Sequence, residues 1–297
     1  MEQKEKEQWI EAGEKAAILM KKAVQLAKPG TPLLEIAEKL EAEAEKMKVS
    51  WAFPINLSIN EIAAHYSPQK DDKTVASGLL KIDLGISING YISDMAKSVD
   101  LTEDQKFKDM IEVNEKALEE AIKVAKNGIG INEIGKKIHQ VITEKGFSPI
   151  RNLSGHELRK NIIHAGLTIP NYDNKNDTEL EEGVYAIEPF ATTGEGIVQD
   201  GKESGIYMLL QRKPVRDAKA REILDFIEKN YSTLPFSARW IVNKFGLRAM
   251  LALKSMHQQE ILHSFAQLVE KSRSPVSQAE HSILVEKDKV TVLTKED

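Results

Sequence analysis

Asp83 and Asp94 lie in the stretch KIDLGISINGYISDMAKSVD, Lys81 to Asp100, where two apolar-alternating runs are joined by Asn89-Gly90. Asn-Gly between such runs is the strongest short-range hairpin signal, because a two-residue type I′ turn needs positive φ at both positions. With that turn Ile88 faces Tyr91, Asp94 falls opposite Gly85, and Asp83 falls opposite Ala96. The two aspartates are then diagonal neighbours on one face, while Ile82, Leu84, Ile86 and Ile88 line the other. Diagonal side chains, with Cβ atoms about 7–8 Å apart or less, reach a common pair of cations held about 3.5–4 Å apart. Alternation would by default turn both aspartates to water on an edge hairpin, yet Asp is a poor strand former. Gly85 and Ala96, being small, are expected to leave room above the carboxylates.

A metal pair needs more donors, and with no cysteine in the chain they must come from His, Asp, Glu or backbone. His156 follows a glycine in NLSGHELR, Glu188 lies in the apolar run GVYAIEPF, and Glu280 lies in the β-rich run VSQAEHSILV. Singly these read as an exposed histidine, a strand-end acid before Pro189 and an edge-strand acid. Together with the two aspartates they make four carboxylates and one imidazole. That hard, oxygen-rich set suits two Mn²⁺, Fe²⁺, Co²⁺ or Zn²⁺ ions better than one tetrahedral structural zinc.

Elements of helical and strand period must position these groups. Apolar residues at helical spacing predict a helix over residues 5–28 and a second starting at Thr31-Pro32, both ahead of the first strand. After the hairpin, TEDQKFKDMIEVNEKALEEAIKVAKNG and GINEIGKKIHQVITEKGF repeat that arrangement. AKPGTPLLEIAEKL (Ala27 to Leu40) and AKNGIGINEIGKKI (Ala125 to Ile138) share Ala-Lys-x-Gly and Glu-Ile at one offset. Each is followed by Asn-Leu-Ser, at residues 56–58 and 152–154, and then by a lone histidine, His65 and His164. Order preserved over three features predicts a duplicated, pseudo-twofold α/β fold with a site between its halves. From Lys202 to His263 the texture turns helical and Arg-rich, and strand-like runs reappear only at SQAEHSILVEKDKVTVLT. The expected division is therefore a catalytic domain in two parts, 1–201 and 264–297, interrupted by a helical insertion, 202–263.

The 297 residues are 41% hydrophobic and 29% charged, with a formal net charge of −5, which argues against a protein that coats nucleic acid. No apolar run reaches the length of a membrane span, and MEQKEKEQWIEAGEK lacks the apolar core of a signal peptide. A cytoplasmic monomer with no membrane or specific nucleic-acid partner is expected.

AFPINLSINEIAAHYSP, DLGISINGYISDMA, NLSGHELRKNIIHAG, VYAIEPFATTGEG, TLPFSARW and QAEHSILVEKDKVTVLT together carry a resemblance that spans nearly the whole chain. In these segments the sequence resembles the type 2 methionine aminopeptidases, in the form without a long N-terminal extension. The resemblance implies the pita-bread fold, a pseudo-twofold curved antiparallel sheet with flanking helices, plus a helical insertion late in the domain. It implies removal of an N-terminal methionine before a small second residue, by attack of a hydroxide that two divalent metal ions activate. By position, Asp83 would hold one ion, His156 and Glu188 the other, and Asp94 and Glu280 both. Glu280 would also shuttle the proton, His65 and His164 would contact the substrate carbonyl and peptide nitrogen and stabilise the oxyanion, and Phe53 would wall the methionine pocket. Substrates would be nascent polypeptides, with transient ribosome contact open. Ser50-Trp51 ahead of AFP and DMAKSVDLT after Asp94 depart from the family pattern. Two other readings stay open on the same residues: an Xaa-Pro aminopeptidase of this fold, and a non-catalytic relative that binds partners or RNA.

Overall fold

Asn89 and Gly90 both take positive φ, 52° and 89°, and the hairpin they close pairs Ile88 with Tyr91, Gly85 with Asp94 and Asp83 with Ala96, without a bulge. The structure, a computed structural model, describes residues 1–295, so Glu296 and Asp297 of the expected C-terminal segment lie outside the described residues. Strands Leu79–Ile88 and Tyr91–Asp100 form one half of a nine-stranded sheet. Beside them the order continues through Glu280–Val285, Gly183–Ile187, Ser154–Leu158 and Thr168–Pro170, each antiparallel to its neighbour.

Helices α1 (Gln3–Leu26) and α2 (Leu33–Lys46) cover the first half of this sheet, and α3 (Lys108–Val124) and α4 (Ile131–Thr143) the second. Ile82, Leu84, Ile86 and Met95 are buried with α1 and α2, whereas Tyr185, Ile187, Ile283 and Val285 are buried with α3 and α4. The alternate residues of the same strands, the aspartates among them, therefore point to the opposite, concave face.

The duplication seen in the sequence reappears in the hydrogen bonds of the two helix–helix turns. Gly30 and Gly128 have φ of 83° and 79°, the left-handed conformation that favours glycine. Gly30 N donates to Ala76 O at 2.9 Å and Gly128 N to Leu180 O at 2.8 Å; Leu33 N donates to Thr74 O and Ile131 N to Thr178 O, both at 2.9 Å. Each half thus ties its helix turn to the loop before its central strand in the same way.

Between residues 202 and 263 the structure differs from the expectation. Strand Val198–Leu209 runs on past Lys202, and its partner Leu262–Glu270 begins well before SQAEH, so helices occupy only the middle: α5 (Ala218–Asn230), α6 (Ala238–Phe245) and α7 (Ala249–Gln258). These two strands are irregular, with register shifts between Asp200 and Glu203 and between Glu203 and Tyr207. A bulge breaks the period-2 pattern that marks a strand, which is why DGKESGIYML does not read as one. This helical segment is bolted to the first half of the chain. Arg239 on α6, 2% exposed, makes a bidentate pair with Glu41 on α2 at 2.8 and 2.6 Å, and Trp240 Nε1 donates to the same carboxylate at 2.6 Å. Forked Arg–carboxylate geometry of this kind fixes orientation as well as distance.

Candidate metal centre and its cleft

The concave face opens on a cavity of about 350 Å³ lined by Phe53, His65, Asp83, Asp94, His156, His164, Glu188 and Glu280, so all eight residues singled out in the sequence converge there. Asp83 and Asp94 come from the hairpin, His156 from Ser154–Leu158, and Glu280 opens the strand Glu280–Val285. Glu188 follows directly on Gly183–Ile187. Ligand atoms of Asp94, His156 and Glu280 lie within 4.8 Å of one another. His156 Nε2 stands 3.6 Å from Asp94 Oδ2 and 3.7 Å from Glu188 Oε1.

This cluster fits a divalent cation and is poorly explained without one. Asp83 Oδ1, Asp94 Oδ1 and Glu280 Oε1 are buried and have no hydrogen-bond partner. Buried carboxylates are expensive unless paired, hydrogen-bonded or coordinated, and no lysine or arginine is among the described residues lining the cavity. Burial pushes the Asp83 carboxyl up to about 7, and it raises Asp94, Glu188 and Glu280 well above the usual range, with the neighbouring carboxylates adding to the effect. Burial lowers His156 to about 3, so the ring is neutral and has a lone pair to offer a cation.

A pH dependence of stability follows for the metal-free protein. Carboxyls whose folded values are raised add stability below their unfolded values and lose it as pH rises through the folded values. His65 and His156 have lowered folded values, so they favour the fold as pH rises, but only up to their unfolded value near 6.5. Above pH 6.5 the four raised carboxyls pull stability down as pH rises, opposed by the single buried Lys81, whose amine burial holds well below its ordinary value. The melting temperature without metal should therefore fall between pH 6.5 and 8.5, by roughly 5 °C or more at about 2–4 °C per kcal/mol. Mn²⁺ should stabilise the protein more as pH rises, because it competes with protons for the same oxygens. Calorimetric melting at a series of pH values checks this; a flat metal-free profile above pH 6.5 would contradict it.

One expectation, of open room above the carboxylates, is reversed. The space over Gly85 is filled: a Cβ there would lie 2.2 Å from Phe53 Cε1, so the glycine seats the Phe53 ring against the hairpin rather than leaving room for cations. His65 is held by its Nδ1, 3.1 Å from Ala266 O. A carbonyl can only accept, so Nδ1 carries the proton; burial lowers this histidine to about 4, and the neutral ring presents Nε2 as an acceptor. His164 packs edge-on against His156, ring centroids 4.4 Å apart, with an open side to the cleft and enough protein around it to lower its basicity by desolvation.

Sequence reasoning passed over several residues of this site. Gln278 Nε2 donates to Asp83 Oδ2 at 3.2 Å; it lies two residues before Glu280, and period-2 alternation would have placed both on one face. Ile206, Phe265 and Leu268 line the cavity from the two irregular strands, and Pro235 from the loop ahead of α6. A helical reading of residues 202–263 hides Ile206 and Pro235.

Residues 7–224 match the model of metallopeptidase family M24. The chain belongs to this family. Among M24 proteins it is 46% identical over 291 residues to a methionine aminopeptidase of Pyrococcus horikoshii, an alignment covering 96% of this chain and 98% of that one. The structure of a thermophilic Arx1 superposes with a TM-score of 0.85 at 16% identity, covering 99% of this chain and 91% of that one. A methionine aminopeptidase of Thermotoga maritima superposes with a TM-score of 0.72 at 21% identity, covering 100% and 98%. The two superpositions place the M24 chain in the pita-bread fold, in agreement with its pseudo-twofold sheet.

Proposed function

We propose that this M24 metallopeptidase removes the N-terminal methionine from polypeptides. The reading rests above all on one observation: an apolar wall of Phe53, Phe265 and Leu268 lies in the same cavity as a buried cluster of four carboxylates and a histidine. Full-length identity to methionine aminopeptidases favours it over the Xaa-Pro and non-catalytic readings.

In this proposal Asp83, Asp94, His156, Glu188 and Glu280 hold two divalent ions, with Mn²⁺, Fe²⁺, Co²⁺ and Zn²⁺ all suited to the donor set. Such ions, when bound, supply Lewis-acid polarisation and a water of lowered pKa. Glu280 takes a proton on its carboxylate and passes it to the leaving amine. His65 Nε2 accepts from the substrate's peptide N–H, as its tautomer dictates. His164 donates to the scissile carbonyl oxygen, where negative charge develops. Phe53 flanks the methionine side chain. Substrates are nascent chains with a small second residue, met by a cytoplasmic monomer in transient contact with the ribosome. The segment between Lys202 and His263, helical only within residues 218–258, completes the cleft wall through Ile206 and Pro235. No described helix is long and apolar enough to cross a membrane.

The test is to strip the protein of metal, restore Mn²⁺, Co²⁺, Fe²⁺ or Zn²⁺ stepwise, and follow release of methionine from Met-Ala-Ser beside cleavage of Ala-Pro-Ala. Activity restricted to Met-Ala-Ser and dependent on added metal supports the proposal. Cleavage of Ala-Pro-Ala alone would make the protein an Xaa-Pro peptidase, and silence with every metal a binding protein.

A further inference from the structure

The two halves of the sheet meet where Tyr91–Asp100 runs beside Glu280–Val285, and their ladder is only two pairs long: Glu280 with Ala96 and His281 with Met95. Continued inward, that register sets Ser282 opposite Asp94; at the other end Gln278, the last residue of the short strand Val276–Gln278 just ahead of Glu280, lies beside Ser98. At both places a serine hydroxyl replaces the main-chain ladder. Ser282 Oγ accepts from Asp94 N and donates to Asp94 O, both at 2.8 Å. Ser98 Oγ accepts from Gln278 N and donates to Gln278 O, again both at 2.8 Å. One serine comes from each strand, and both are buried.

The backbone of Ser282 is engaged elsewhere: its only N–H donates to Thr294 Oγ1 at 3.1 Å, and its O accepts from Leu293 N at 2.8 Å. The strands diverge there, and a hydroxyl, at once donor and acceptor, spans the gap and satisfies both main-chain groups of Asp94. The backbones gripped in this way carry the candidate metal centre. Asp94 belongs to the cluster itself, and Gln278 holds Asp83 through its side-chain amide.

We propose that Ser282 and Ser98 are positioning residues: as reciprocal staples they set the separation of the two strands that carry Asp94 and Glu280, and through it the affinity of the cluster for divalent ions. This rests on the metal-centre reading above. Loss of a group that orients a metal ligand typically weakens metal binding by about 10- to 100-fold.

The experiment is calorimetric titration of the full-length, metal-stripped protein with Co²⁺ and with Mn²⁺, together with the visible spectrum of the Co²⁺ form. Ser282→Ala should bind at least one ion about 10- to 100-fold more weakly and show an altered Co²⁺ spectrum, while Ser282→Thr, which keeps the hydroxyl, should stay within about threefold of wild type. Ser98→Ala, acting through Gln278 and Asp83, should lose about 10-fold, and it decides the matter if Ser282→Ala does not fold. Wild-type affinities and spectrum in the alanine variants would overturn the proposal and leave the metal-centre reading standing. Failure of threonine to restore binding would overturn it too, since packing rather than the hydroxyl would then matter. If the wild-type protein itself takes up neither ion, the metal-centre reading falls and this inference with it.

Discussion

Asp94→Asn should abolish tight metal binding and lower turnover of Met-Ala-Ser by about three orders of magnitude or more. Asp94 shares close quarters with both His156 and Glu280, and its strand is the one stapled to the second half of the sheet. The substitution keeps the shape and removes the charge. Lewis-acid stabilisation is worth several kcal/mol, and about 1.4 kcal/mol corresponds to a factor of ten in rate. The same change should act in the opposite direction on the metal-free protein, which it relieves of one of four mutually repelling buried carboxylates. At pH 8 the metal-free variant is expected to melt above the metal-free wild type, and with Mn²⁺ present the order should reverse. Metal analysis and melting on both proteins read out the two halves of the prediction. A variant that holds two ions as tightly as wild type would remove Asp94 from the centre.

His164→Ala is expected to leave metal content unchanged while lowering kcat by about 10²- to 10³-fold, the usual cost of losing one donor to a developing oxyanion. The separation of effects is the informative part. His164 touches the ring of His156 edge-on but contributes nothing to the Asp94, His156 and Glu280 group, so the donor set survives its loss. A fall in kcat with KM nearly constant marks an interaction made in the transition state. Turnover at the wild-type level would exclude His164 from the chemistry, and loss of metal in the variant would recast it as support for His156.

Much of the site could be read from the chain because hairpin chemistry is local. Asn89-Gly90 and the flanking alternation set the register, and with it the shared face of Asp83 and Asp94, to the residue. The duplicated helix turns were legible for the same reason, since each depends on a glycine at positive φ and its immediate neighbours. Where the local signal is broken, reading failed. The strands that flank helices α5 to α7 carry bulges and polar residues, so Ile206 went unrecognised as cleft wall, as did Phe265 and Leu268 across from it. Gly85 looked like open space because nothing local to it reveals that Phe53, far away in the chain, lies across it.

What the sequence determined by itself was therefore the set of donors, the hairpin that presents two of them, the two-fold plan of the domain and the resemblance to one peptidase family. These follow from residue type, period and turn chemistry, which act over a few positions. Only the tertiary structure decided which ring nitrogen of His65 faces the cleft, that Gln278 holds Asp83, that Arg239 locks α6 onto α2, and that two serines bridge the strand of Asp94 to the segment carrying Gln278 and Glu280. Each of these is a hydrogen bond between groups far apart in sequence, and its partner is chosen by how the halves pack rather than by any pattern along the chain.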